Sequence, residues 1–211
     1  MTTPMDIEEV RGVGDLFSLL RLIFMAEPSK ELLEQLLKIE TTEPENDIDR
    51  GLELMRRDVQ KNRNQLDEYL EELAVEFARL FLGPQNPVAI PFASFYLSET
   101  RQLMTEVTIE VRRQYLEAGM AVKNLYQIPD DHLAIELEFA AWLADETAKN
   151  LKKGDTGMAS ESGARLESFL QEHLAKWLPL FADRLSAGTK SDFYQGAAMA
   201  LKGMTTMYAQ A

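Results

Sequence analysis

The stretch 128–143, Ile-Pro-Asp-Asp-His-Leu-Ala-Ile-Glu-Leu-Glu-Phe-Ala-Ala-Trp-Leu, constrains the fold more than any other part of the chain. It reads as a loop that stops at Pro129 and launches a helix. Asp130 and Asp131 offer carboxylate oxygens to the first free backbone N–H groups and suit the positive end of the helix dipole. At 100° per residue, His132, Ile135, Glu136, Phe139 and Leu143 fall on one side; Leu133, Leu137, Ala140, Ala141 and Ala144 cover a second broad arc. Only Asp131, Glu138 and Asp145 make a clean polar stripe. A helix this apolar all round has to be surrounded by other helices. The pattern therefore predicts an all-α chain of about ten helices around a central apolar helix over 130–153.

Two polar residues, His132 and Glu136, share the apolar side at i and i+4, where an unpaired charge is costly. Spacing alone leaves two readings open. In one, the two form a partly buried pair and satisfy each other. In the other, Asp131 and His132 stand at the mouth of a loop-to-helix junction and face a ligand.

The flanking chain is also helical in period. Residues 6–27 read as a first helix ended by Pro28, and Ser29 starts a second through about Ile39. Residues 48–82 read as one long helix, or as two joined at the polar stretch 62–65. Gly83-Pro84 stops that run, and the prolines up to Pro91 rule out a central strand. An apolar loop such as 87–92 is expected to be pinned to a core or to line a site. A helix then runs from Ser94 or Ser98 to about Ala118. Beyond the central helix, the Gly-, Ser- and Thr-rich segment 154–163 reads as a flexible hinge. It is followed by a helix over about 164–177, a break at Pro179 and a last helix capped at Ser191. On that last helix Gly196, Ala200 and Gly203 are small enough to admit another helix closely. No strand and no internal repeat is expected, and residues 1–211 read as a single domain.

Charge and composition exclude several functions. A formal charge of −13 is wrong for nucleic acid or an anionic membrane, both of which need clustered Lys and Arg. With no cysteine, disulfides, thiolate metal sites and cysteine nucleophiles are excluded. With two histidines a His-rich metal site is excluded, and no metal or other cofactor is expected. Gly188-Thr189-Lys190-Ser191 imitates only the tail of a phosphate-binding loop, and no serine sits in a G-x-S-x-G elbow. The acidic start, with no basic n-region, and the absence of a long apolar run point to an unexported, cytoplasmic chain.

The motifs carry a resemblance. Glu76 to Pro84 (EFARLFLGP) looks like the E-x-x-x-LF-x-GP motif of the TorD/DmsD/NarJ-type family of molybdoenzyme maturation chaperones. Pro91 to Tyr96 (PFASFY) resembles the family's P-x-x-S-x-Y segment, and Pro129 to Phe139 its P-x-DH-x-x-x-EL-x-F signature. The positions His173-Leu174, Trp177-Leu178-Pro179 and Phe193-Tyr194 echo its C-terminal pattern. The resemblance implies a chaperone, not an enzyme. Its partner would be the twin-arginine leader and apo form of a molybdopterin-dependent oxidoreductase, held back from export until the cofactor is in place. It also places client contacts at Asp131, His132, Leu80, Phe81, Gly83, Pro84, Pro91, Phe95, Tyr96 and Glu138. Such a chain is expected as a monomer or as a homodimer swapped through the hinge. Two competing readings are an assembly chaperone of a non-exported client, as in the nitrate-reductase branch, and a nucleotide hydrolase using Asp131 and His132.

Overall fold

Helix starts follow their capping residues. Asp6 accepts from the Glu8 N–H to open α1 (Ile7–Met25), and Ser29 accepts from the Leu32 N–H to open α2 (Lys30–Leu37). Asn46 does the same for α3 (Asp47–Lys61), which ends at Asn62. A short 3₁₀ turn, Arg63–Gln65, then leads into α4 (Leu66–Phe77), so the polar stretch is a joint between two helices. The computed structural model describes residues 6–39, 44–83, 87–122 and 128–209; among these there is no strand, only an isolated antiparallel bridge between Phe92 and His132. The remaining helices are α5 (Ala93–Leu97), α6 (Glu106–Glu117), α7 (Leu133–Lys153), α8 (Thr156–Phe169), α9 (Ala175–Gly188) and α10 (Asp192–Ala209).

Three stretches differ from the sequence expectation, each for a local reason. Residues 94–118 are not one helix. α5 ends at Leu97, and residues 98–105 form an irregular segment with Arg101 and Met104 at positive φ. Residues 154–163 are not an open linker. Gly154, in the left-handed conformation at φ 75°, closes α7, and Asp155 caps α8 at once through the Met158 N–H. The Gly- and Ser-rich turns then remain helical because Ala159 is buried and the Ser162 hydroxyl pairs with Thr147 of α7 at 2.9 Å. Tertiary packing here overrides composition. Pro179 does not break its helix either. It sits in the second turn of α9, just after the wide π-turn Leu170–Leu174. That turn replaces the regular hydrogen-bond ladder on the N-terminal side, where the proline ring would otherwise crowd it.

One hydrophobic core runs through the helices. α1 and α8 pack along α7, whose buried side chains include Leu133, Leu137, Phe139, Ala140, Leu143 and Ala144. α3 packs along α10 where glycines meet: a Cβ on Gly51 would lie 2.4 Å from the Gly196 carbonyl oxygen, and one on Gly203 would lie 2.7 Å from the Ile48 nitrogen. The small flank of the last helix thus admits α3 at backbone contact. Among the described residues no helix is long and apolar enough to cross a membrane.

Candidate functional site

Loop 91–94 and the start of α7 are sewn together by main-chain bonds. The Leu133 N–H donates to the Pro91 carbonyl at 2.9 Å, and the Ala93 N–H donates to the Asp131 carbonyl at 3.0 Å. Side chains lock the seam. Asp131 is 0% exposed; its Oδ2 accepts from the Ser94 N–H at 2.8 Å and its Oδ1 from the Thr108 hydroxyl at 2.8 Å. Asp130 meets Arg112 of α6, and its carbonyl accepts from the Tyr115 hydroxyl at 3.0 Å. One pair of acidic residues therefore joins α5, α6 and α7.

His132 serves as the helix cap. Its Nδ1 accepts from the Ala134 N–H at 3.1 Å, and its ring meets Phe92 edge to face with centroids 4.9 Å apart. Burial pushes the imidazole down to about 4, against the opposing pull of Asp131, so it is neutral at physiological pH.

Glu136 does not pair with His132. Its Oε1 lies 2.7 Å from His173 Nε2, and its Oε2 accepts from the Trp177 indole N–H at 3.0 Å. Burial lifts the Glu136 carboxyl; burial lowers the His173 imidazole, but the adjoining Glu136 carboxylate outweighs this and holds it above its ordinary value. The pairing is with a residue 37 positions away, which helical spacing does not reveal. Trp177 in turn stacks on Tyr96, centroids 5.6 Å apart, so the network ends under α5.

The sequence-derived client contacts fall into separate environments. Leu80 and Phe81 are core: Phe81 packs against Phe24, Phe77, Phe181 and Tyr194. Pro91 is buried, and Asp131 is sealed by its hydrogen bonds. Gly83 is half-buried, and Pro84 lies outside the described residues. Phe92, Phe95 and Tyr96 are half-buried: Phe95 and Tyr96 meet edge to face with centroids 5.1 Å apart and form a small aromatic platform, with the Arg184 guanidinium 5.3 Å from the Phe95 ring, while Phe92 packs on His132. Glu138 is exposed on the other side of α7, 3.3 Å from Arg21, at the rim of an apolar cavity of about 300 Å³ that includes Met25, Val122 and Ile128. The structure thus brings together Pro91, Asp131 and His132 as a lock, with Phe95 and Tyr96 next to it; Glu138 stands apart. Nothing in the local sequence distinguishes Thr108 and Arg112 from helix-surface or core residues, and Trp177, although part of the family-like C-terminal pattern, carries no local sign of its bond to Glu136.

Comparison with known proteins bears on the same region. The profile of the nitrate reductase delta subunit family matches residues 41–183, which include the whole lock and the Glu136–His173–Trp177 network. The chain belongs to that family. Similar members are chaperone proteins TorD. That of Vibrio parahaemolyticus is 30% identical over 130 residues, 62% of this chain and 59% of the relative. That of Vibrio cholerae El Tor Inaba N16961 is 32% identical over 155 residues, 73% and 68%. That of Vibrio vulnificus YJ016 is 33% identical over 126 residues, 60% and 57%. The chain thus spans 57–68% of the length of these relatives. Within the family match, α10 lies outside the matched residues although it closes the core against α3.

Proposed function

We propose that this chain is a cytoplasmic chaperone, acting by binding and not by catalysis. Its client is the apo form of a molybdopterin-dependent oxidoreductase, whose twin-arginine leader it covers until the cofactor is in place. Family membership and the TorD relatives support the chaperone class. The observation that carries the leader-binding part is the aromatic pair Phe95–Tyr96 on α5, with Phe92 on His132 at the same seam, held by the Asp131 lock on a chain of charge −13. A twin-arginine leader has a cationic n-region and a short apolar h-region. An acidic protein steers the first, and an aromatic platform buries the second. In this reading Phe92, Phe95 and Tyr96 touch the leader, His132 supports Phe92 from beneath, and Asp131 is a positioning residue that sets the platform's angle.

Fluorescence titration of the full chain with a twin-arginine leader peptide tests this, because Trp177 lies directly beneath Tyr96. Saturable binding is expected, weaker at high salt and absent when the h-region is made polar. No binding of either leader or apo-client removes the reading. Binding of the apo-client without its leader favours the assembly role on a non-exported partner, which the name of the matched family brings in as the second reading.

A further inference from the structure

α9 carries a stripe of three residues, Lys176, Leu180 and Arg184, one turn apart on the same side of the helix. Lys176 is exposed, Leu180 is 49% exposed and Arg184 is half-buried. The Arg184 guanidinium carbon lies 5.3 Å from the Phe95 ring centroid and 6.0 Å from that of Tyr96. α5 packs on α9, so the two rings and the C-terminal part of the stripe make one surface.

Neither cation is neutralised by the chain. Among the described residues no carboxylate pairs with Lys176 or Arg184, and no acceptor takes an Arg184 N–H, although the chain carries a charge of −13. Arg79, Arg112 and Arg165 each pair with an acid. Asp183, next to Arg184 in sequence, is taken instead by Lys202 of α10 at 2.7 Å. The rings hold the guanidinium by their negative faces, but they do not give its N–H groups the paired oxygens that a carboxylate does. A planar fork held against a ring keeps its edge for a bidentate acceptor. The surface therefore combines apolar area, from Phe95, Tyr96 and Leu180, with positive charge that lacks a counter-ion among the described residues. An apolar segment that carries a carboxylate completes both.

We propose that Phe95, Tyr96, Leu180 and Arg184 form a docking surface for an apolar peptide segment that bears a carboxylate side chain next to its apolar residues. Arg184 takes the carboxylate through its free fork, the rings and Leu180 cover the apolar side chains, and Lys176 extends the positive charge along α9. A neutral segment leaves the guanidinium without its acceptor and a basic one is repelled, so Arg184 selects as well as binds. That the rings meet a client rests on the leader-binding reading above; the preference for a carboxylate rests on Arg184 and Lys176 alone.

Three capped peptides, acetyl-Ala-Leu-Leu-Phe-Xaa-Ala-amide with Glu, Gln or Lys at Xaa, are titrated into the full-length chain. The Arg184 Nε–H signal is followed by NMR and assigned by its loss in Arg184→Lys. That signal is expected to move with the Glu peptide, which should bind about tenfold more tightly than the Gln peptide. The Lys peptide should bind most weakly. In Arg184→Gln the Glu and Gln peptides should bind alike, and in Arg184→Glu the order should reverse in favour of Lys. Leu180→Ala should weaken the Glu and Gln peptides by the same factor, since it removes apolar contact only. Equal affinity of the Glu and Gln peptides for the unaltered chain overturns the proposal, as does no binding of the Glu peptide. So does a preference for Glu that survives in Arg184→Gln. A preference for Glu in a chain that ignores twin-arginine leaders keeps this surface and removes the leader reading; leader binding without that preference does the reverse.

Discussion

The Ser94 N–H donates to Oδ2 of Asp131 at 2.8 Å across 37 positions of sequence, and this contact fixes where the aromatic platform stands. α5 is five residues long and could not hold a conformation alone, since isolated helices need two to three times that length. Its first turn is therefore set by α7. Asp131, at the head of α7, acts on the platform through α5 and not by touching a client.

That role predicts a stability signature. Asp131→Ala leaves the Ser94 N–H and the Thr108 hydroxyl unpaired in the interior, where each orphan costs about 1–3 kcal/mol. With two such orphans a loss of about 2–6 kcal/mol is expected in urea unfolding. Thr108→Val, which removes one bond, should cost about 1–2 kcal/mol. Ser94→Ala should cost under about 1 kcal/mol, because the Ser94 hydroxyl is buried with no partner and only its backbone N–H bonds. Wild-type stability in Asp131→Ala would instead make the carboxylate a free, client-facing group.

The α3–α10 contact makes a sharper prediction. A Cβ on Gly51 would sit 2.4 Å from the Gly196 oxygen, and one on Gly196 would sit 2.5 Å from the Gly51 oxygen. Both obstacles are backbone and cannot swing aside. Gly51→Ala should lose about 3 kcal/mol or more by thermal unfolding. Gly12→Ala on α1 meets nothing within 4 Å and should gain up to about 1 kcal/mol from helix propensity. Equal melting of the two variants would mean that α3 and α10 do not touch.

Which features could be read in advance follows from how local their causes are. The start of α2 at Ser29, the polar stretch 62–65 as one of two readings, and the small flank of α10 were legible, because each is written within a few neighbouring residues. The break at 98–105 was not, since it contains neither Gly nor Pro and places Arg101 and Met104 at positive φ without a marker. Glycine- and serine-rich composition misdirected at 156–163, where contact with Thr147 decides the outcome. Motif spacing singled out Asp131 and His132, which the structure turns inward, Asp131 as a buried acceptor and His132 as a helix cap. Polarity on an apolar face says that a partner exists; the partner of Glu136 lies on another element. Leu80 and Phe81 recur at helical spacing on the apolar side of 66–82, and their place in the core follows from that period.

The Glu136 network can be tested by removing one donor. Trp177→Phe keeps a ring against Tyr96 but leaves Glu136 Oε2 without its indole partner, at 0% exposure of the residue. The cost should be about 1–3 kcal/mol, from the unsatisfied acceptor together with the lost ring volume. Urea unfolding reads it, with Trp142 as the remaining fluorophore. A variant as stable as wild type would show that the carboxyl is protonated and satisfied by His173 alone.

The two histidines should set opposite pH dependences. Burial pushes His132 down to about 4, while the unfolded imidazole titrates near 6.5. Between those values the unfolded chain holds a proton on this ring that the folded chain refuses. Stability therefore falls as pH drops from 6.5 to 4, by about 3 kcal/mol in full, and this group contributes no slope outside that window. His173 behaves the other way: Glu136 holds its imidazole above its ordinary value, so its contribution is complete below 6.5 and fades as pH rises through the raised value. His132→Asn isolates the first effect, since asparagine keeps an acceptor for the Ala134 N–H and does not titrate. Carboxylates that titrate near 4 are common to both proteins and cancel in the difference. Unfolding free energies of wild type and variant, measured from pH 4 to 8, should run parallel above 6.5. Below that, wild type should lose stability faster, because only it takes up the extra proton on unfolding. A constant difference across the range, or a folded His132 ring that titrates near 6.5 by NMR, would show a solvated imidazole and remove His132 from the lock.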